Sequence, residues 1–448
     1  MNKRLIVSVL LCLPLMTHAA TKVSEQVLKN GLKVLVKEDH RSPVVVSQVW
    51  YKVGASYEPI GITGVSHMLE HMMFKGTEKH PAGEFSKIIA SNGGDENAFT
   101  GQDYTAYFQT MAADKLEVSF ELEADRMRNL KLLPEELKKE LEVVTEERRM
   151  RTEDNPQAKL SETFASVAYT SSPYQHPVIG WPSDIANYKV EDLQAWYSLW
   201  YAPNNATLVV VGDVKADDVF ALAEKYFGAL KTSDIKPLKP QPEMPQAGMR
   251  RMTVKAPAKM PVVILGYKVP TLKTAQSEQE VYALEVLASV LDGGNSARLA
   301  TNLVRGKQLA VSAGAGYDMT DRLDNLFELD AIPVEGKSLS DLETALKAEV
   351  AKLQSTLITD EELKRIKAQV LASKVYEQDS DFYQAMQLGL LETVGLPWQK
   401  ADEYVDKINQ VTAEQVREVA KKYLIEDHLT VGMLEPQAIQ ADVKKEKK

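Results

Sequence analysis

At 448 residues, with 44% hydrophobic and 26% charged side chains, the chain has the composition of a folded globular protein and length for two domains of about 200 residues. Its formal net charge of −10, with both signs scattered along the chain, argues against nucleic acid as a partner. The single cysteine, Cys12, excludes internal disulfides and thiolate clusters, so any metal must be held by His, Asp or Glu.

The chain opens on Lys3 and Arg4, continues with an apolar run from Leu5 to Met16, and reaches Thr17-His18-Ala19, with small residues where a signal peptidase inspects them. Residues 1–19 therefore read as a secretory signal cleaved after Ala19, with the periplasm as destination. Leu11 precedes Cys12 where a lipoprotein signal wants a small residue. Loss of Lys3 and Arg4 takes the mature charge to −12. No later stretch approaches the roughly 20 apolar residues of a transmembrane helix.

Two strands are expected at Leu32 to Glu38 and Val44 to Val53, arranged like a hairpin. Next comes GVSHMLEHMMFKGT, residues 64–77, apolar apart from two histidines, a glutamate and its polar end. Thr63 can cap a helix that starts at Gly64, and Gly76 can end it, which puts Val65 to Phe74 on three turns. His67 and His71, four apart, then project from one face with Glu70 beside them. A helix apolar nearly all round is buried, and an ionised carboxylate there needs a compensating cation. His-x-x-Glu-His is the inverted zinc-protease signature, in which the histidines bind Zn²⁺ and the glutamate acts as general base. Two satisfied core histidines bridged by a glutamate would be the bland alternative.

A catalytic zinc takes three protein ligands and keeps a position for water. The segment Pro134 to Arg151, PEELKKELEVVTEERRMR, is a helix with acids early and arginines late. Glu140 and Glu147, seven apart, fall on its apolar stripe of Leu137, Leu141 and Val144. Glu147 is the expected third ligand, and Glu140 a carboxylate that orients a histidine.

Between Lys231 and Met249 stand Pro237, Pro240, Pro242 and Pro245, a spacing that prevents helix and marks a linker. The two sides of it resemble each other. SPVVVSQVWYKVG (Ser42 to Gly54) precedes a helix as MPVVILGYKVP (Met260 to Pro270) does, and Val190 to Gly212 lies against Thr412 to Gly432 as helix leading into strand. An internal duplication of about 200 residues is the simplest account. The expected fold is α+β, with two homologous halves that are each a mainly antiparallel sheet with helices on one face. The expected division is 20–231 for the metal-binding domain, 232–249 for the linker, 250–440 for the second domain and 441–448 for a charged tail.

GASYEPIGITGVSHMLEHMMFKGT, NGGDENAFTGQDYTAYF, ELEVVTEERRMRTEDNP and YSLWYAPNNATLVVVGDV together resemble the pitrilysin/insulinase family of zinc metallopeptidases. The resemblance implies a clamshell of two halves with one zinc in the first, held by His67, His71 and Glu147, with Glu70 as general base and Glu140 in support. It implies a peptide substrate added to a sheet edge at Asn97 and Ala98, residues that could equally do no more than form their strand. Relatives also carry an arginine and a tyrosine in the second half that reach the substrate. Arg305 matches the arginine, Val311 stands at the tyrosine, Tyr317 is the nearest replacement, and Arg298 reads as structural. A zinc endopeptidase is therefore expected, with a homodimer or a heterodimer with a homologous subunit open to it if a partner must complete the site, and the alternative is a non-catalytic binding or assembly member of the same family. A non-haem iron oxygenase also uses two histidines and a carboxylate, but has no role for Glu70.

Overall fold

The computed structural model describes residues 22–438, so residues 1–19, expected to be a signal, Cys12 among them, and the charged tail 441–448 lie outside the described residues. Strands β1 (Val23–Val27), β2 (Lys33–Glu38), β3 (Val44–Tyr51), β4 (Asp95–Thr100), β5 (Thr105–Ala112) and β6 (Ala206–Gly212) form one sheet in the order β1-β2-β6-β3-β5-β4. Strands β7 (Arg250–Pro257), β8 (Val262–Val269), β9 (Ala310–Gly316), β10 (Asn325–Pro333) and β11 (Leu429–Gln437) form the other, in the order β7-β11-β8-β10-β9. The helices that place the site or join the halves are α1 (Val65–Met72), α2 (Pro134–Arg148), α3 (Pro156–Ala168), α4 (Val190–Trp200), α5 (Glu278–Asp292), α6 (Asp381–Val394) and α7 (Ala413–Tyr423).

Without its extra edge strand β1, the first sheet has the connectivity of the second. In each, the first strand runs parallel to the last, β2 to β6 and β7 to β11, and all other neighbours are antiparallel. The pairs matched in sequence, β3 with β8 and α4–β6 with α7–β11, hold equivalent places. The expected hairpin does not form, because β6 inserts between β2 and β3. All seven residues of β6 are buried, and a strand covered on both faces belongs at the sheet centre.

Each sheet packs its own half's helices against one face. The opposite face is covered by a helix from the other half. Leu160, Phe164 and Ala168 of α3 pack on β7 and β11, while Ala385 and Leu388 of α6 pack beside Trp50, Val209 and Val211 of the first sheet. Gly389 of α6 meets Trp50 so closely that an added Cβ would fall 2.1 Å from the indole nitrogen, which is itself bonded to Gln48 at 2.9 Å. Gly389→Ala should therefore cost about 3 kcal/mol, the upper end of ordinary overpacking. The urea midpoint should fall in Gly389→Ala, and fall less when the same substitution is made in a Trp50→Phe background that lacks the indole nitrogen.

The segment between Phe227 and Arg250 contains no helix or strand, yet it is anchored. Glu243 accepts the backbone N–H groups of Thr170, Ser171 and Ser172 at 2.9, 2.9 and 2.8 Å and pairs with Lys268 of β8. Burial opposes the charge, but Lys268 and the three N–H groups hold the Glu243 carboxyl down to about 2. Its contribution is thus complete above the ordinary value of 4.5 and is lost as pH falls toward 2. Hydrogen exchange at Thr170–Ser172, corrected for the intrinsic acid rate, should accelerate between pH 5 and pH 2, and Glu243→Gln should show weakened protection already at neutral pH.

Candidate metal centre

The helix α1 ends about one turn before Gly76, and Thr63 does not cap it. Gly64 occupies the N-cap with φ of +86°, where a Cβ would fall 2.4 Å from the Ile179 carbonyl oxygen. The first helical N–H groups go instead to Glu58, which accepts from Gly64 at 2.5 Å and Ser66 at 2.7 Å. Thr63 faces elsewhere: its hydroxyl donates to Asp184 at 2.7 Å and accepts the Trp181 N–H at 3.0 Å. The left-handed turn at Gly64 separates Thr63 from the helix start, so a carboxylate from the preceding loop takes the cap. Burial pushes Glu58 up to about 7 against its two backbone bonds.

From this helix His67 and His71 present their rings side by side, with centroids 4.9 Å apart. The helix α2 packs against α1 and brings buried Glu140 and half-buried Glu147 to the same place, with Leu137 and Val144 facing the core. After α2 the chain continues through one widened π turn, Arg149–Glu153, while Arg148 is fixed by Glu162 at 2.7 and 2.9 Å and by the Gly180 carbonyl at 2.8 Å. Glu147 Oε2 lies 3.8 Å from His67 Nε2 and 3.3 Å from His71 Nε2. Tetrahedral zinc with bonds of about 2.0–2.1 Å separates its ligand atoms by about 3.3–3.4 Å, so these spacings suit it.

The surroundings agree with a cation at this point. Glu140 Oε2 stands 3.1 Å from His71 Nδ1, and Lys75 holds the other oxygen of Glu140 at 2.6 Å. With Nδ1–H directed at Glu140, the His71 ring presents Nε2 toward Glu147, the atom a neutral imidazole would offer to a metal ion. Arg151 neutralises the remaining oxygen of Glu147 at 2.7 Å. Burial, aided by the neighbouring His71 charge, pushes His67 down to about 4, the neutral form a ligand needs. Burial also acts to lower His71, but its bonds to Glu147 and Glu140 prevail and raise it, and the bond from His71 lowers Glu147. Among the described residues, His67, His71 and Glu147 are the one group of this kind whose ligand atoms all lie within 4.8 Å of one another.

Glu70 stands beside this group, and its Oε2 accepts the Thr100 hydroxyl at 2.5 Å. Burial raises its pKa, opposed by that bond. All of these side chains line a cavity of about 800 Å³, together with Asn97, Ala98 and Ile179. Asn97 and Ala98 belong to β4, which pairs only with β5 and so forms the sheet edge among the described residues. The Ala98 N–H is taken by the Asn97 side chain at 2.9 Å.

Every residue of the cavity lining among the described residues falls between His67 and Ile179, in the first half. Arg305 is not brought to the cavity: its guanidinium donates locally to the Asn295 carbonyl at 2.6 Å and the Thr301 hydroxyl at 3.1 Å. Arg305 sits on the π turn Ala300–Gly306, and neither of its bonded partners lines the cavity. Val311 is 55% exposed, and the Tyr317 hydroxyl is used by the Pro270 carbonyl at 2.5 Å. Arg298 is bound by both oxygens of Glu362 at 2.8 and 2.9 Å.

Residues 33–181 match the model of the insulinase peptidase family, M16, and residues 187–370 match that of the M16 inactive domain. A Helicobacter pylori protein named zinc protease PqqE is 38% identical over 345 residues, 76% of either chain. The chain belongs to the M16 peptidase family. The zinc protease YmxG of Bacillus subtilis is 27% identical over 89% of this chain and 95% of its own. Among solved structures, a protease from Helicobacter pylori superposes with a TM-score of 0.87 at 33% identity, covering 93% of this chain and all of the other. The periplasmic protease PqqL of Escherichia coli shares the fold at 20% identity and TM-score 0.79, and this chain spans 48% of it. In this M16 chain His67, His71 and Glu147 lie wholly within the first matched region.

Sequence reasoning missed Glu58, Thr100 and Lys75. Lys75, four residues beyond His71, was within reach of helical spacing, and Thr100 shares with Ala98 a face of β4. Glu58 had no local signal, since its partners form only when the loop folds over the helix start.

Proposed function

We propose that this protein is a zinc-dependent endopeptidase that hydrolyses peptides or short unfolded segments. The convergence of His67, His71 and Glu147 on one point beside Glu70 carries the reading. Zinc, when bound there, supplies a Lewis acid that polarises the scissile carbonyl and lowers the pKa of attacking water. Glu70 takes that water's proton and delivers it to the leaving amine, while Thr100 holds the carboxylate in line. Glu140, backed by Lys75, fixes the His71 ring. The non-haem iron alternative leaves Glu70 without work.

The free edge of β4 serves as the substrate platform, because an extended peptide can add there as a further strand. The Asn97 side chain occupies the Ala98 N–H until a substrate carbonyl replaces it. Ala98→Pro removes that donor at an edge position that tolerates proline, so KM should rise about 2- to 12-fold with kcat little changed, as measured on a single fluorogenic peptide.

A second reading is supported by the cavity's one-sided lining. With Arg305 engaged locally and Val311 without a hydroxyl, a second chain, identical or homologous, would complete the site and stabilise the oxyanion. The signal-like residues 1–19 and the name of the Escherichia coli relative support a periplasmic location, and no described helix is long and apolar enough to cross a membrane. We take 20–231 and 250–440 as the domains.

Mass spectrometry of a mixed peptide library, incubated with the zinc-loaded mature protein and with the chelated form, tests the proposal. Cuts that appear only with zinc support it. Equal silence from both, repeated after adding any co-purifying homologue, would overturn it.

A further inference from the structure

The loop between β9 and β10 of the second half reaches the turn that follows β4 in the first. We propose that Arg322 in this loop is a positioning residue: through Asp103 it holds the β4–β5 turn, and with it Thr100 and Glu70, in working register. This rests on the peptidase reading above. Asp103 is 2% exposed, and it accepts the Arg322 backbone N–H and Nε–H, each at 3.0 Å. Two hydroxyls complete its shell, Ser56 at 2.6 Å and Tyr174. The guanidinium also donates to the Ser56 hydroxyl at 2.7 Å and lies 4.4 Å above the Tyr57 ring.

The same turn is gripped from its other side. Ala55 and Ser56 donate backbone N–H groups to the Gly101 and Gln102 carbonyls at 3.1 and 2.7 Å, and Gln102 donates to the His176 carbonyl at 3.0 Å. Thr100, which ends β4 and bonds Glu70, is three residues from Asp103. Arg322 is the one cation bonded to this buried carboxylate among the described residues. Without it Asp103 must shift, take up a proton or draw in water, and a short turn passes that movement to Thr100. The second half then acts on the reaction without touching the substrate, a role distinct from the one expected of Arg305.

Arg322→Met should lower kcat about 10- to 100-fold with KM and bound zinc unchanged, because small misplacements near reacting groups cost rate more than binding. Arg322→Lys, which restores the cation alone, should recover part of the loss. In a double-mutant cycle with Thr100→Val, the combined variant should be no slower than the slower single variant, since both act on one contact. Arg298→Met, which removes an equally paired arginine within the second half, should leave kcat as it is. Deuterium uptake should rise across residues 95–104 in Arg322→Met and stay constant in α2. Independent, multiplicative losses in the cycle, an equal loss in Arg298→Met, or unchanged uptake across 95–104 would overturn the proposal. Should the wild-type protein cleave nothing, the peptidase reading fails, while the uptake comparison still decides if Arg322 holds β4.

Discussion

Glu70→Gln is expected to reduce peptide hydrolysis about 10²- to 10⁴-fold while zinc stays bound and the fold is unchanged. The amide has the shape of the carboxylate and can still accept the Thr100 hydroxyl, so the second contact of Glu70 survives. What it cannot do is take a proton from water at neutral pH. Glu70 is also outside the His67–His71–Glu147 group, so the variant separates proton transfer from metal retention. Turnover of one defined peptide, with zinc measured by elemental analysis on the same sample, reads both. Near-normal turnover in the zinc-replete variant would place the base elsewhere.

Glu147→Ala is expected to abolish both zinc retention and turnover. It removes the single anionic ligand, leaving two imidazoles and the freed, exposed Arg151 beside them. Cation binding then loses its charge complement as well as a bond. Glu140→Gln provides the scale, because loss of a carboxylate that orients a ligating histidine costs about 10- to 100-fold in metal affinity. Competition with a zinc chelator should rank wild type, Glu140→Gln and Glu147→Ala in that order of decreasing affinity. A Glu147→Ala protein that holds zinc as tightly as Glu140→Gln would remove Glu147 from the ligand set.

Most of the candidate site was legible because it lies on two helices. A period of 3.6 residues places His67 beside His71 and aligns Glu140 with Glu147, whatever the rest of the chain does. The repeat was legible for a related reason: β3 and β8, and the helices leading into β6 and β11, kept their apolar patterns through duplication. Strand pairing was not. The local pattern of residues 32–53 favours a hairpin, and the pairing of β2 with β6 depends on a strand some 170 residues later whose burial on both faces takes the centre of the sheet.

The sequence by itself determined that His67, His71 and Glu70 share one helix face, that Glu140 and Glu147 share another, and that the chain holds two related halves, since each depends on neighbours within a few turns or on a repeated pattern. Tertiary structure alone decided that Glu58 rather than Thr63 caps the histidine helix, that α3 and α6 cross to the opposite sheets, that Arg305 stays away from the cavity and that Arg322 reaches Asp103. The α3, α6 and Arg322 contacts join residues far apart in the chain, while the Glu58 cap spans six to eight residues but closes only when its loop folds over the helix start. Their energies come from burial and charge pairing that exist only once the halves have packed, and no local periodicity encodes which distant partner a buried carboxylate will meet.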